Sequence, residues 1–369
     1  MKDKALKVLA VADPAVLVYI DDKLGVMRNF GRRVEFDVFP WEQYYTTMME
    51  VFKGKAYYDA VMVAGHLWKR DFVDKGYLAP IEFEDEDILP AIAQEMKYNG
   101  KAYLSPSFCD GHMIVYRKDM TDKRFGDIIT PQEYAVFCTS FEVPSIAMKA
   151  HPSEIFTDAL PFLRMNGQDV YDRATHKAVC DCEQVIRGLE VYCSLKKYAL
   201  EGTESFGNEQ IAQVLRNRRA AAAVTWSGQL GTLLNKDCIK PENLGFATFS
   251  TAWNVTWSFA INAHCENMQE ANELLRYLRS PEVDAVAGAY SGAPVRERSY
   301  LTGKDKYPWY SCQLNMIKNS KPLPDQQGAG DKNAVFYEEI AAAFSGKKTP
   351  KVAMSDAQKR INEQGGFTA

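Results

Sequence analysis

The sequence predicts an α/β fold of two lobes, and three observations lead there. Strand-like and helix-like runs alternate from the start of the chain. The middle then changes to long amphipathic patterns joined by polar or glycine-rich segments, a mostly helical lobe. Strand-like runs return before a helical end, and no low-complexity linker separates the parts. The chain is therefore expected to cross between lobes through ordinary strands and turns.

The opening reads βαβαβ. Leu6 to Ala12 is a strand, a helix is expected around Ile20 to Phe30, and Arg33 to Phe39 is a second strand. A helix follows around Trp41 to Phe52, with Pro40 near its start, and Gly31 stops the helix before it. The third strand, Asp59-Ala60-Val61-Met62-Val63, is almost continuously apolar, as a parallel strand covered on both faces must be. Ala64-Gly65 follows at its carboxyl end, where Gly65 can let the backbone turn sharply, and His66 and Trp68 stand where a helix begins. Ligands of open α/β sheets bind at that edge, so a pocket is expected within Tyr57 to Ile81.

Asn99-Gly100-Lys101 reads as a hairpin, and Ala102 to Ser105 and His112 to Tyr116 read as strands flanking a connection from Pro106 to Gly111. Pro131 to Thr139, Ser153 to Met165 and Cys182 to Leu195 are the amphipathic patterns of the helical lobe. Ala220 to Trp226 returns as a buried strand and ends in Ser227-Gly228-Gln229, a second turn able to open on a pocket. Trp257 to Asn262 is a strand, and a capped helix from Asn267 to Arg279 stops at Ser280-Pro281. Phe336 to Phe344 and Lys351 to Asn362 are helices on either side of a break at Ser345 to Pro350.

Composition narrows the function classes. The 369 residues are 46% hydrophobic and 25% charged, ordinary for a folded chain with a real core. A net charge of -4 gives no electrostatic footprint for nucleic acid or an anionic membrane. The charge runs at Arg216 to Arg219 and Glu82 to Asp87 read as solvated faces. No apolar stretch approaches the ~20 residues of a membrane span. Lys2, Lys4 and Lys7 precede Val8 to Ala12, but that apolar core is too short for a signal peptide and reads better as the first strand. The eight cysteines show no disulfide framework. Cys180 and Cys182 with His176 form the one local cluster resembling metal ligands; without a nearby fourth ligand it reads as a turn carrying thiols, and no metal or cofactor is expected.

Five segments, in this order, resemble the extracellular solute-binding proteins of carbohydrate ABC importers, the maltose-binding-protein-like group. They are Tyr58 to Ile81 with its closing Gly-Tyr-Leu-Ala-Pro-Ile; Tyr98 to Tyr103 leading through Pro106 to Val115-Tyr116-Arg117-Lys118-Asp119; and Ala222 to Gln229. Trp257 to Asn262 with Asn267 to Ser280 and Gly292-Ala293-Pro294-Val295-Arg296 is the fourth, and the tail from Ser345 to Glu363 the last. The resemblance implies a periplasmic-binding-protein-like fold of type II, with a hinge and an interlobe ligand cleft. It implies an N-terminal lobe of residues 1–109 plus 258–305 and a C-terminal lobe of 110–257 plus 306–369. Hinge segments are expected near Ser107 to Gly111, Trp253 to Trp257 and Lys304 to Trp309. The family usually has few cysteines and is exported, often as a lipoprotein. A periplasmic or extracellular location is therefore expected, membrane-anchored if a leader is missing from this chain.

What such a protein does follows from its ligand. A sugar presents hydroxyls at its rim and C–H patches on its faces, so its site needs flat aromatic rings and fixed polar groups together. The expected ligand-binding residues are Asp13, Trp41, Gly65, His66, Trp68, Phe108, Asp110, Trp226, Gln229, Asn254, Trp257 and Arg296. Asp110 matches the family position that accepts sugar hydroxyls, and Trp226 and Trp257 align with turns that face the family's cleft; His112 reads as a satisfied strand histidine. The expected protein is a monomer that closes on its ligand and delivers it to the permease subunits of an ABC transporter. A polyamine, an organic anion, a phosphorylated compound or a sensory role are the alternatives on the same fold. An enzyme is not expected: Asp110 has no partner carboxylate in another ligand-facing turn for glycoside hydrolysis, and no G-x-S-x-G, P-loop or H-E-x-x-H pattern occurs.

Overall fold

Leu6–Val11 forms β1, and the Asp13-Pro14 pair directly after it starts α1 (Pro14–Ile20), with the Asp13 carboxylate accepting the Ala15 N–H at 2.9 Å. The helix expected around Ile20 to Phe30 thus lies earlier. What occupies that stretch is one 3₁₀ turn, Val26–Phe30, between Gly25 and Gly31, both at positive φ. The cap and proline are the stronger start signal, and two left-handed glycines break the longer pattern. In the computed structural model the described residues are 5–84 and 86–364, so Lys2, Lys4 and Asp85 of the charge runs lie outside them.

β2 (Val34–Phe39), α2 (Trp41–Phe52), β3 (Ala60–Ala64), α3 (Gly65–Asp74), β4 (Leu78–Ala79), α4 (Pro90–Glu95) and the hairpin of β5 (Lys97–Tyr98) and β6 (Lys101–Ala102) follow. β7 is a single strand, Ser105–Arg117, buried along its whole length. The connection expected at Pro106 to Gly111 is therefore strand. Pro106 lacks a donor but sits at the strand's beginning, where proline is tolerated. Gly111 leaves room for the Met316 side chain: a Cβ there would fall 2.1 Å from Met316 Cε and 3.1 Å from the Trp253 carbonyl, so the thioether would have to move.

β8 (Ile128–Ile129), α5 (Pro131–Cys138), β9 (Ile146–Ala147), α6 (Ile155–Leu163), α7 (Glu183–Ser194), α8 (Asn208–Arg216), β10 (Ala222–Trp226), α9 (Leu230–Leu233), β11 (Leu244–Phe249) and β12 (Asn254–Asn262) continue the chain. The helices α10 (Met268–Leu278), α11 (Pro281–Ser291), α12 (Glu297–Gly303), α13 (Tyr310–Asn319), α14 (Ala329–Phe344) and α15 (Pro350–Gln364) complete it. Ser280-Pro281 ends α10 and also starts α11, with the Ser280 hydroxyl accepting the Val283 N–H.

These elements make two units. Unit 1 is Met1–Asp110 with Val255–Tyr310, and unit 2 is Gly111–Asn254 with Ser311–Ala369. In unit 1, β1 lies between β2 and β3 as parallel neighbours, and β12 adds antiparallel to β3, with Phe259 opposite Met62, and to β4. All five residues of β3 are buried, which accounts for its unbroken apolar run. Tyr44 of α2 has no exposed surface; its hydroxyl donates to Met62 O at 2.6 Å and accepts the Met62 N–H at 2.9 Å, tying helix to strand.

Unit 2 centres on the second half of β7, flanked antiparallel by β10 and β11, with β9 parallel to β10 and β8 parallel to β11. Arg117, wholly buried, caps the C-terminal end of α8: its Nε donates to Leu215 O at 3.0 Å and its Nη1 to Ile239 O at 2.7 Å. α7 lies against α6 at Gly188, where a Cβ would fall 2.2 Å from Phe162 O. Glu339 of α14 holds the tail through Lys348 at 2.5 Å and Arg360 at 2.7 Å. The eight cysteines are free thiols, and Cys180 donates to Met354 O while His176 stands in a left-handed turn. Among the described residues no group of three acidic, histidine or cysteine side chains converges, and no helix is long and apolar enough to cross a membrane.

Candidate functional site

The predicted aromatics of unit 1 gather near the end of β3. Trp41 and Tyr45 share one face of α2, and Trp68 and Phe72 share one face of α3, each pair at the i, i+4 spacing that aligns side chains. The Trp41 ring stacks on Trp68 at 5.6 Å, and Tyr45 leans on Trp68 at 5.4 Å. Trp257 of β12, opposite Ala64 in the sheet register, meets Trp41 edge-on at 5.8 Å, and Phe108 stacks on Trp257 at 6.4 Å. Four predicted aromatics thus form one continuous ladder. Trp68 and Phe108 are buried and Trp257 half-buried, while Trp41 is 43% and Tyr45 45% exposed. Amphipathic rings left open to water in this way suit a face with C–H patches and a polar rim.

Polar groups accompany the ladder. Asp110, 5% exposed, and Asp13 at the N-cap of α1 are electrostatic neighbours. Burial, and secondarily the Asp110 charge, push the Asp13 carboxyl up to about 7, against the pull of the Ala15 N–H. His66 is held neutral, because burial draws its imidazole down to about 3. Gly65 is the first residue of α3, and its φ is not in the left-handed region. Space is what it supplies, since a Cβ there would lie 3.0 Å from Leu104 Cδ1.

Unit 2 builds a second corner around Trp226, at the end of β10 and opposite His112 in register. The two rings lie 4.1 Å apart, and Trp253 stands edge-on at 5.7 Å. Trp226 Nε1 donates to Glu154 at 3.0 Å, and the Lys149 ammonium sits 4.4 Å from the ring centroid. Lys149 has no exposed surface and bridges His112 Nε2 at 2.9 Å and Glu154 at 3.4 Å. Burial, with this ammonium beside it, holds His112 well below the usual imidazole range. Gln229 follows in the turn Ser227–Gln229, 8% exposed. Asn254 is buried and its Oδ1 accepts the Ser320 hydroxyl at 2.5 Å.

Arg296 is the exception. Its Nε donates to Arg279 O at 2.8 Å and its Nη1 to Glu86 O at 2.7 Å, and its backbone N–H reaches Asp284. It locks the start of α12 to α10 and to the segment before α4, and makes no ring contact with the ladder. Lys149, Glu154 and Tyr45 belong to the two corners but were not among the predicted residues. Lys149 and Glu154 fall between β9 and α6, where no periodicity or motif marks them. The i, i+4 spacing from Trp41 was the available signal for Tyr45.

A family model described as bacterial extracellular solute-binding protein matches residues 27–285. Solved structures match over nearly the whole chain. Maltose-bound MalE3 of T. maritima is 18% identical with a TM-score of 0.86, covering 98% of this chain and 100% of that one. A solute-binding protein of Thermotoga lettingae with α-D-tagatose is 16% identical with a TM-score of 0.85, covering 98% and 99%. One from Agrobacterium radiobacter with ribitol is 17% identical with a TM-score of 0.83, covering 98% of each chain. These likenesses establish a shared periplasmic-binding-protein-like α/β fold.

Proposed function

We propose that this chain, which belongs to the bacterial extracellular solute-binding protein family, binds a carbohydrate or polyol and delivers it to the permease of an ABC importer. The observation that carries the proposal is the ladder of Trp41, Trp68, Trp257 and Phe108, half-open at Trp41, in the same unit as the neighbouring carboxyls of half-buried Asp13 and buried Asp110. Rings offer faces for C–H, and carboxylates accept hydroxyl hydrogen bonds. Trp226, aligned by Glu154 and Lys149, is the corresponding aromatic group of unit 2. Maltose, tagatose and ribitol in the similar structures support a neutral polyhydroxylated ligand.

Ligand binding is expected to shift the protein towards a form that the permease recognises. The protein is expected to act as a monomer on the outer side of the membrane, anchored as a lipoprotein if a leader precedes this sequence. No catalytic step is proposed. Calorimetry of refolded protein against monosaccharides, oligosaccharides and polyols tests the proposal, and no heat with any of them would overturn it. The Asp13–Asp110 pair favours one alternative, a cationic solute such as a polyamine; spermidine and putrescine belong in the same panel.

A further inference from the structure

Unit 2 contains a cavity of about 190 Å³ where the C-terminal end of α6 meets the turn after β11, lined by Arg164, Gly167, Asp169, Ser250, Thr251 and Lys321 among others. Arg164 is 5% exposed. Its Nε donates to Asp169 Oδ1 at 2.8 Å and its Nη1 to the Lys321 carbonyl at 2.7 Å, while Nη2 is buried with no hydrogen-bond partner among the described residues. An orphaned donor on a buried cation is rare in folded proteins because its desolvation goes uncompensated, so the site is short of one acceptor.

Charge indicates which acceptor suits it. Asp169 is the one carboxylate in the lining, and its Oδ1 is occupied by Arg164 Nε and the Val170 N–H while its Oδ2 faces Arg173 at 3.7 Å. Three cations, Arg164, Arg173 and Lys321, therefore surround or border a single anion. Burial, and to a smaller degree Arg173, draw the Arg164 guanidinium below its ordinary range even though Asp169 opposes them. Ser250 and Lys321 lie on the exposed rim. The volume is below that of ordinary drug-sized pockets and suits a ligand of few heavy atoms.

We propose that this cavity binds a small oxyanion, phosphate or a compact carboxylate, held by Arg164 within and by Lys321 and Ser250 at the rim. Guanidinium and ammonium groups both form short charge-assisted bonds to such oxygens. Thermal unfolding of the full chain, titrated with inorganic phosphate and separately with acetate at ionic strength fixed by sodium chloride, tests it. A saturable rise in Tm is expected with phosphate, acetate or both, and the larger response identifies the anion class. Lys321→Gln should weaken that response about tenfold, the loss of one charge-assisted bond, whereas Lys347→Gln should not. Lys321 is exposed and its carbonyl bond to Arg164 survives the change, so the variant folds. Equal effects of chloride and both oxyanions, or a Lys321→Gln titration matching wild type, would overturn the proposal.

Discussion

Asp158 on α6 offers a test of the electrostatics around Lys149. It is 3% exposed, and its Oδ2 accepts the Tyr192 hydroxyl at 3.0 Å. Burial raises its carboxyl from 3.8 to about 7, against the pull of the Lys149 ammonium. The native state therefore holds a proton that the unfolded chain has lost between those values. Stability from this group is fully present below about pH 3.8 and is lost as pH rises through about 7. Each pH unit in the window is worth about 1.4 kcal/mol, so the whole interval is worth roughly 4 kcal/mol and the part above pH 5 roughly 3. Asp158→Asn keeps an oxygen for Tyr192 and removes the titration. In urea unfolding followed by circular dichroism, the stability of the variant relative to wild type should rise by about 3 kcal/mol from pH 5 to pH 8. Any fixed cost of the substitution cancels in that comparison. A difference constant to within about 0.5 kcal/mol across the range would refute the reasoning, because the Lys149 attraction would then outweigh the desolvation of Asp158.

Three further outcomes are expected. Carbohydrate affinity should rise between pH 6 and pH 8 as Asp13, poised at about 7, ionises and becomes a better acceptor; calorimetry on Asp13→Asn should give a flat profile over the same range. Arg117→Lys should lower stability by about 3 kcal/mol, since one ammonium cannot serve the carbonyls of Leu215 and Ile239 together, and a shift in the urea midpoint measures it. Gly188→Ala sets a methyl against the Phe162 carbonyl and forces α7 away from α6, for a loss of about 2 kcal/mol or more, read from the thermal midpoint of a calorimetric scan.

Much of the fold is legible in local sequence. The apolar run of β3 announces a strand buried on both faces, and Ala64-Gly65 marks its carboxyl end. Trp41, Trp68, Phe108 and Trp257, chosen from separate segments, meet in one ladder because Trp257 pairs with Ala64 at the end of β3, β7 lies beside β12, and Trp41 and Trp68 stand in the first turns of α2 and α3. Signals in conflict misled. The pattern from Ile20 to Phe30 was apolar enough for a helix, but Asp13-Pro14 and two left-handed glycines placed the helix earlier. Arg296 follows a family-like Gly-Ala-Pro-Val and yet serves as a lock between helices, a role decided by the carbonyls packed around it.

The sequence alone determined the alternation of strand and helix, a net charge of -4 with no strong basic excess, and the aromatic residues available to a ligand. Those properties are local, because hydrophobic periodicity and turn chemistry act over a few residues. Only the tertiary structure decided that Lys149 lies over Trp226, that Glu154 receives an indole N–H from 72 residues away, and that Asp13 titrates near 7 beside Asp110. Each of these depends on strand register and on the exclusion of water by distant segments, which no short stretch of residues encodes.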